Sequence, residues 1–97
     1  MKYTEEEKNY LNIVRAILEE FNINYYCFNE DEKGDATICI NKIDSNNYKV
    51  FEFERNIEHN IKYHNTLNNA VKDLIYRSTD SYEKEEILNN TLKRKLK

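Results

Sequence analysis

Hydrophobic residues recur at helical spacing in the first part of the chain. Behind Thr4, apolar side chains return every three or four residues: Tyr10, Leu11, Val14, Ile17, Leu18 and Phe21. This period is typical of an amphipathic helix that buries one face. Thr4 and Glu7 have the spacing of a capping box, in which each side chain accepts a hydrogen bond from the backbone N–H of the other residue. The pattern predicts a helix from about residue 4 to residue 21.

From Ile23 onward the period changes to two, which indicates β-strands. Three alternating segments, residues 23–28, 36–41 and 48–55, are separated by polar stretches at 30–35 and 44–47. Short polar turns between alternating segments favour hairpins. The three strands are therefore predicted to form an antiparallel meander.

The two faces of this meander follow from closing each turn symmetrically, which places Cys27 beside Ile38 and Ile40 beside Phe51. One face is then apolar and is predicted to be the core: Ile23, Tyr25, Cys27, Ala36, Ile38, Ile40, Phe51 and Phe53. The opposite, outer face carries a mixed set: Asn24, Tyr26, Phe28, Thr37, Cys39, Asn41, Tyr48, Val50, Glu52 and Glu54.

The second half of the chain is predicted to be helical after a polar connection at residues 56–65 without a clear period. Thr66 is a candidate N-cap. It precedes a stripe of Leu67, Ala70, Val71, Leu74 and Ile75 at helical spacing. A third helix is predicted from about Ser81. The fold class is thus α+β, with the order helix, three-stranded antiparallel meander, helix, helix; the helices pack on one sheet face of a single domain, residues 1–97.

Composition and charge exclude several classes of function. No apolar run is long enough to span a bilayer, and the acidic N-terminus lacks the apolar stretch of a signal peptide, so a cytoplasmic protein is predicted. Four of the 15 basic residues lie at the C-terminal end, so the rest of the chain carries 11 basic against 18 acidic residues. An acidic body repels nucleic acid and suits a basic protein partner, although such charge also serves solubility.

Candidate chemistry is sparse. His59 and His64 lie in the polar connection without the spacing of a metal site. Cys27 and Cys39 lie in predicted strands and are expected to be reduced, partly buried thiols. Glu52 and Glu54 share a strand face with no predicted pocket, and no Gly-rich phosphate loop is present. We therefore expect no metal, no cofactor and no enzymatic activity.

The outer face is the predicted interaction site, because exposed aromatic rings bordered by one sign of charge are typical of protein interfaces. It adjoins the acidic loop at residues 30–35. The residues predicted to contact a partner are Tyr26, Phe28, Glu30, Asp31, Glu32, Tyr48, Glu52 and Glu54. Two alternatives are that the third helix covers this face or that a second copy of the chain does.

Residues 47–77 resemble the small immunity proteins of bacterial polymorphic toxin and contact-dependent inhibition systems. The resemblance consists of an aromatic strand at residues 48–55 that ends in Glu-Arg, followed by Tyr63, Thr66, Ala70, Leu74, Ile75 and Arg77. It implies a cytoplasmic protein that binds and neutralises a cognate toxin domain, often a nuclease. The leading hypothesis is thus a non-enzymatic inhibitor, a monomer or homodimer, that occludes the active site of its toxin. The alternative is a homodimeric regulatory or phage-encoded adaptor whose sheets pair through Tyr26, Phe28 and Tyr48.

Overall fold

The computed structural model describes residues 2–29, 37–79 and 81–96. They form three helices and four strands: α1 (Glu5–Glu20), β1 (Tyr26–Cys27), β2 (Thr37–Asp44), β3 (Asn47–Glu54), β4 (Ile57–His64), α2 (Leu67–Ser78) and α3 (Tyr82–Lys95). The strands form one sheet in the order β1-β2-β3-β4. The predicted α+β class is confirmed, but the sheet is mixed, because β1 runs parallel to β2 and the other pairs are antiparallel.

The helix starts follow the predicted caps. Thr4 Oγ1 accepts a hydrogen bond from the Glu7 N–H at 3.1 Å, and Glu7 Oε1 accepts one from the Thr4 N–H at 2.8 Å, which completes the capping box of α1. Thr66 Oγ1 caps α2 by accepting a hydrogen bond from the Asn69 N–H at 3.1 Å, and Ser81 Oγ caps α3 by accepting one from the Lys84 N–H at 3.2 Å. Side chains at these three positions therefore satisfy backbone donors that each first helical turn leaves unpaired.

The main core lies between the sheet and the helices. α2 packs on β2, β3 and β4, whereas α3 packs on α1 and α2. The buried side chains are Leu11, Val14, Ile17, Leu18, Phe28, Ile40, Tyr48, Val50, Leu67, Ala70, Val71, Leu74, Ile75, Leu88 and Leu92. No helix among the described residues is both long and apolar enough to cross a membrane.

The fourth strand is a correction to the predicted loop at residues 56–65. β3 and β4 are joined by a two-residue turn, Arg55 and Asn56, both with positive φ (52° and 61°). Such turns usually contain glycine, which this turn lacks. A register shift between Val50 and Glu52 marks a bulge in β4 at Asn60, which has φ 52°. The bulge interrupts the alternation by which a strand is recognised in a sequence.

The predicted register between the second and third strands is also wrong by one residue. Ile40 pairs with Val50, and Cys39 pairs with Phe51. At the turn itself Asp44 pairs with Asn47, as symmetric closure requires, but a bulge leaves Ile43 without a partner across the ladder. Because strand side chains alternate between faces, this single extra residue exchanges the two faces of β3: the side chains predicted to face the core face outwards, and those predicted to face outwards face the core.

The parallel β1 places its side chains differently from the predicted hairpin as well. Tyr26 is the partner of Ile38, and Cys27 is the partner of Cys39. Tyr26 and Phe28 consequently belong to the main core, whereas Cys27 faces the opposite side with Cys39 and Phe51. Tyr25, a predicted core residue, is exposed. The predicted core position Ala36 lies outside the described residues.

Candidate functional site: the outer sheet face

The aromatic residues predicted to contact a partner are in the core instead. Phe28 is 2% exposed and Tyr48 is 5% exposed, and Tyr26 is half-buried against the same core. Arg15 of α1 lies over two of these rings, with its guanidinium carbon 5.7 Å from the Tyr26 centroid and 5.0 Å from that of Phe28. The prediction that these three rings lie on the outer face is therefore wrong, because β1 runs parallel to β2 and the register between β2 and β3 differs by one residue.

The predicted acidic contacts are divided. Glu52 faces the helix side, where its Oε2 accepts a hydrogen bond from Asn60 at 3.0 Å and lies 3.4 Å from Arg77. Glu54 is exposed at the end of β3. Glu30, Asp31 and Glu32 lie outside the described residues. Among the predicted contact residues that the structure describes, Glu54 is thus the one that is exposed.

A polar cluster joins the first turn of α1 to the sheet. The Glu7 carboxylate accepts hydrogen bonds from the Lys42 ammonium at 2.5 Å and from the Tyr48 hydroxyl. Burial alone would raise the pKa of Glu7, but hydrogen bonds from Lys42, the Thr4 backbone and Tyr48 lower it to about 2. Burial and the adjacent Glu7 carboxylate raise the pKa of Tyr48 to about 12. The cluster keeps the Tyr48 hydroxyl protonated and fixes its side chain between α1 and the sheet, so its role is structural.

A second polar cluster joins β4 to α2. His64 Nε2 lies 2.8 Å from Asp73 Oδ2, and Arg77 Nε donates to Asp73 Oδ1 at 2.9 Å. Burial of Asp73 would raise its pKa, but the hydrogen bonds from His64 and Arg77 lower it. Both carboxylate oxygens of Asp73 therefore take part in hydrogen bonds, and the cluster fixes β4 to α2. His59, by contrast, is exposed.

The outer face, the side of the sheet away from the helices, has a small apolar centre of its own. Cys27, Cys39 and Phe51 are buried there, and Phe53 packs against them. Lys49 Nζ lies 4.9 Å from the centre of the Phe51 ring, a cation–π distance, and 2.8 Å from Glu58 Oε1. This ion pair crosses from β3 to β4 on the outer face.

Exposed apolar side chains continue this face along β4. Tyr63 pairs with Lys49 and so shares its face, and it is 58% exposed. Ile61 belongs to the bulge, between the paired residues Lys62 and His59, and it is 47% exposed next to this surface. We define the outer-face patch as Lys49, Phe53, Glu58, Ile61 and Tyr63.

The outer-face patch was missed because residues 57–64 were predicted to be loop. A partial signal was present after the bulge, where Ile61 and Tyr63 alternate with Asn60, Lys62 and His64. This is the period of a half-buried strand. The arrangement of rings beside a charged pair supports recognition of another surface.

Comparisons with protein-family models, with curated proteins and with solved structures found no match. Within residues 2–29, 37–79 and 81–96, no group of three or more His, Cys, Asp or Glu side chains is arranged to hold a metal ion. An apolar crevice where the three helices meet is too narrow for a water molecule; it is lined by Val14, Ile17, Leu18, Ile75 and Leu92. Within the described residues, the outer-face patch is therefore the candidate functional surface.

Proposed function

We propose that the protein is a non-enzymatic, protein-binding inhibitor of the immunity type, which neutralises a cognate bacterial toxin domain by covering its active site. The observation that carries this proposal is the exposure of Tyr63 on the sheet face away from the helices, with Ile61 exposed in the adjacent bulge. The docking surface is the outer-face patch, not the aromatic set predicted from the sequence.

The composition of the outer-face patch supports protein recognition. Tyrosine supplies a large apolar contact area with a polar hydroxyl, and it is enriched among the residues that dominate binding energy. Tyr63 and Ile61 lie at the edge of the sheet beside the Lys49–Glu58 ion pair, so a partner can bury the apolar side chains while the charged pair fixes its orientation. The mechanism is steric occlusion, with no chemical step.

Two further observations support a toxin partner with a basic surface. The segment that resembles immunity proteins, residues 47–77, contains all of β3 and β4 and all of α2 except Ser78, and these elements form and support the patch. Without the basic C-terminal end, the chain carries 11 basic against 18 acidic residues. This charge attracts a basic partner from a distance and raises the association rate at low ionic strength.

The first test is whether a neighbouring reading frame encodes a toxin-like domain, and the second is whether that purified domain binds this protein in calorimetry. Tyr63→Ala is expected to weaken binding by about tenfold or more, since truncating a central interface tyrosine removes at least about 1.4 kcal/mol. Tyr82→Ala is the matched control, because Tyr82 is 81% exposed on α3, in the helical layer. Equal effects of the two substitutions, or no binding of the wild type, would contradict the proposal.

A second candidate is a homodimer in which two outer faces pack together. The observation that favours it is the charge pair in the patch: Lys49 of one copy can approach Glu58 of another while the tyrosines contact each other. Sedimentation velocity at several protein concentrations distinguishes the two candidates. A dimer that Ile61→Asp dissociates supports this version, and a monomer at all concentrations excludes it.

A further inference from the structure

Two cysteines stand side by side in neighbouring strands. Cys27 of β1 and Cys39 of β2 are direct partners in the parallel ladder. Adjacent strands lie about 4.8 Å apart, which falls within the range of about 4.4–6.8 Å between the Cα atoms of disulfide-bonded cysteines. Both thiols belong to one buried cluster with Phe51, so the two side chains lie on the same face.

We infer that Cys27 and Cys39 are a modification site, a dithiol that is oxidised reversibly to an intramolecular disulfide across β1 and β2. The oxidant is a low-molecular-weight disulfide of the glutathione class. One cysteine thiolate attacks that disulfide, forms a mixed disulfide and expels one glutathione thiolate. The second cysteine thiolate attacks the mixed disulfide at the protein sulfur and expels the other glutathione. Two protein thiols are oxidised, and one oxidised glutathione is reduced to two thiols.

The parallel geometry makes this disulfide reversible. In a parallel pair the two Cα–Cβ bonds run side by side, so the Cβ atoms stay close to the strand spacing of about 4.8 Å, beyond the usual range of about 3.5–4.5 Å. Closing the bond therefore strains the strands. A strained disulfide is more readily reduced than an unstrained structural one, which is the property of a regulatory pair.

Burial sets the rate of the reaction. Cys27 and Cys39 are both almost completely buried, so the oxidant reaches them when β1 separates from β2. β1 is only two residues long and lies at the end of the strand order, and short edge elements open at low free energy. The Cys27 thiol also donates a hydrogen bond to the Asn29 carbonyl, and this bond must break before the sulfur can turn towards Cys39.

The disulfide would close a covalent ring around residues 28–38. This segment includes Glu30, Asp31 and Glu32, three of the acidic residues that sequence analysis predicts as partner contacts. Closing a ring removes conformational freedom from the enclosed chain. Oxidation of Cys27 and Cys39 therefore encloses an acidic segment in a covalent ring without altering a charge.

The test equilibrates the full-length protein in buffers of defined reduced and oxidised glutathione, followed by alkylation of remaining thiols and intact-mass measurement. The expected product takes up no alkylating agent and is about 2 Da lighter, because two hydrogens are lost. The same equilibrium in denaturant is the control. Because the fold holds the two cysteines next to each other, the effective concentration of one thiol at the other is expected to be at least about tenfold higher in the native protein than in the denatured protein.

Single substitutions separate this product from others. Cys27→Ser and Cys39→Ser are each expected to give only the mixed disulfide with glutathione. The inference is overturned if the native wild type accumulates mixed disulfides or intermolecular dimers, or if its effective concentration does not exceed the value in denaturant. The comparison of native with denatured wild type still decides the matter if a serine variant fails to fold.

Discussion

Glu7→Gln is the most informative substitution for the junction between α1 and the sheet. Glutamine retains an oxygen for the Thr4 N–H, so the capping box can persist. The substitution removes the negative charge that accepts hydrogen bonds from Lys42 and Tyr48. It therefore isolates the electrostatic contribution of the cluster from the contribution of the helix cap.

The magnitude follows from the burial and the pKa. Glu7 is 15% exposed and its pKa falls from 4.5 to about 2, which corresponds to at most about 3 kcal/mol of stabilisation. Residual solvent screening reduces this value, so we expect Glu7→Gln to lower the free energy of unfolding by about 2 kcal/mol at neutral pH. Glu5→Gln is the control: Glu5 is 87% exposed and 3.5 Å from Lys8, and the expected loss is below about 0.5 kcal/mol.

Urea unfolding as a function of pH tests the assignment. Because the pKa of Glu7 is lower in the folded state than in the unfolded state, its stabilising effect is complete above the unfolded pKa and is lost as the pH falls. The difference between wild type and Glu7→Gln should be constant above about pH 5 and should shrink between about pH 4.5 and 2. A difference that persists unchanged at pH 2, or a loss equal to that of Glu5→Gln, would refute this reasoning.

Two further substitutions probe β4. Asp73→Asn removes the charge that holds His64 and Arg77, and it should destabilise the protein by about 2 kcal/mol in urea unfolding. Because the pKa of Asp73 is lowered on folding, that loss should diminish in acid below about pH 4; a pH-independent loss would contradict the role of the charge. Replacing the turn pair Arg55 and Asn56 by Asn-Gly should raise the melting temperature and stabilise by about 1 kcal/mol, since both positions have positive φ. A lower melting temperature would exclude this turn geometry.

The helices could be predicted from the sequence because their signals are local. The capping residue Thr4 and the stripe from Leu67 to Ile75 each lie within one or a few helical turns, and the structure confirms both. Sheet register depends on the whole path between two strands. Ile43 has no partner in the ladder, so the pairing of β2 with β3 shifts by one residue. The turn residues Ser45 and Asn46 contain no sequence signal that predicts this shift.

The candidate site depended on that register, which is why its residues were predicted less well than the fold class. Once β3 is turned over, Tyr48 and Val50 enter the main core, while Phe51 and Phe53 pack on the outer face. The two sets have similar hydrophobicity, so composition alone cannot distinguish them. Recognising β4 would have required accepting a hairpin turn without glycine and a strand interrupted at Asn60.

The bulge at Asn60 also affects how the β4 edge of the sheet can pair with a strand of another copy. β4 is eight residues long and has backbone hydrogen-bonding groups on the side away from β3, a geometry that can template strand addition and fibril growth. The positive φ of Asn60 bends the strand near its midpoint, so an incoming strand finds only short straight stretches to pair with. The residue that interrupts the alternation of β4 in the sequence is therefore expected to hinder strand addition at the β4 edge of the folded protein.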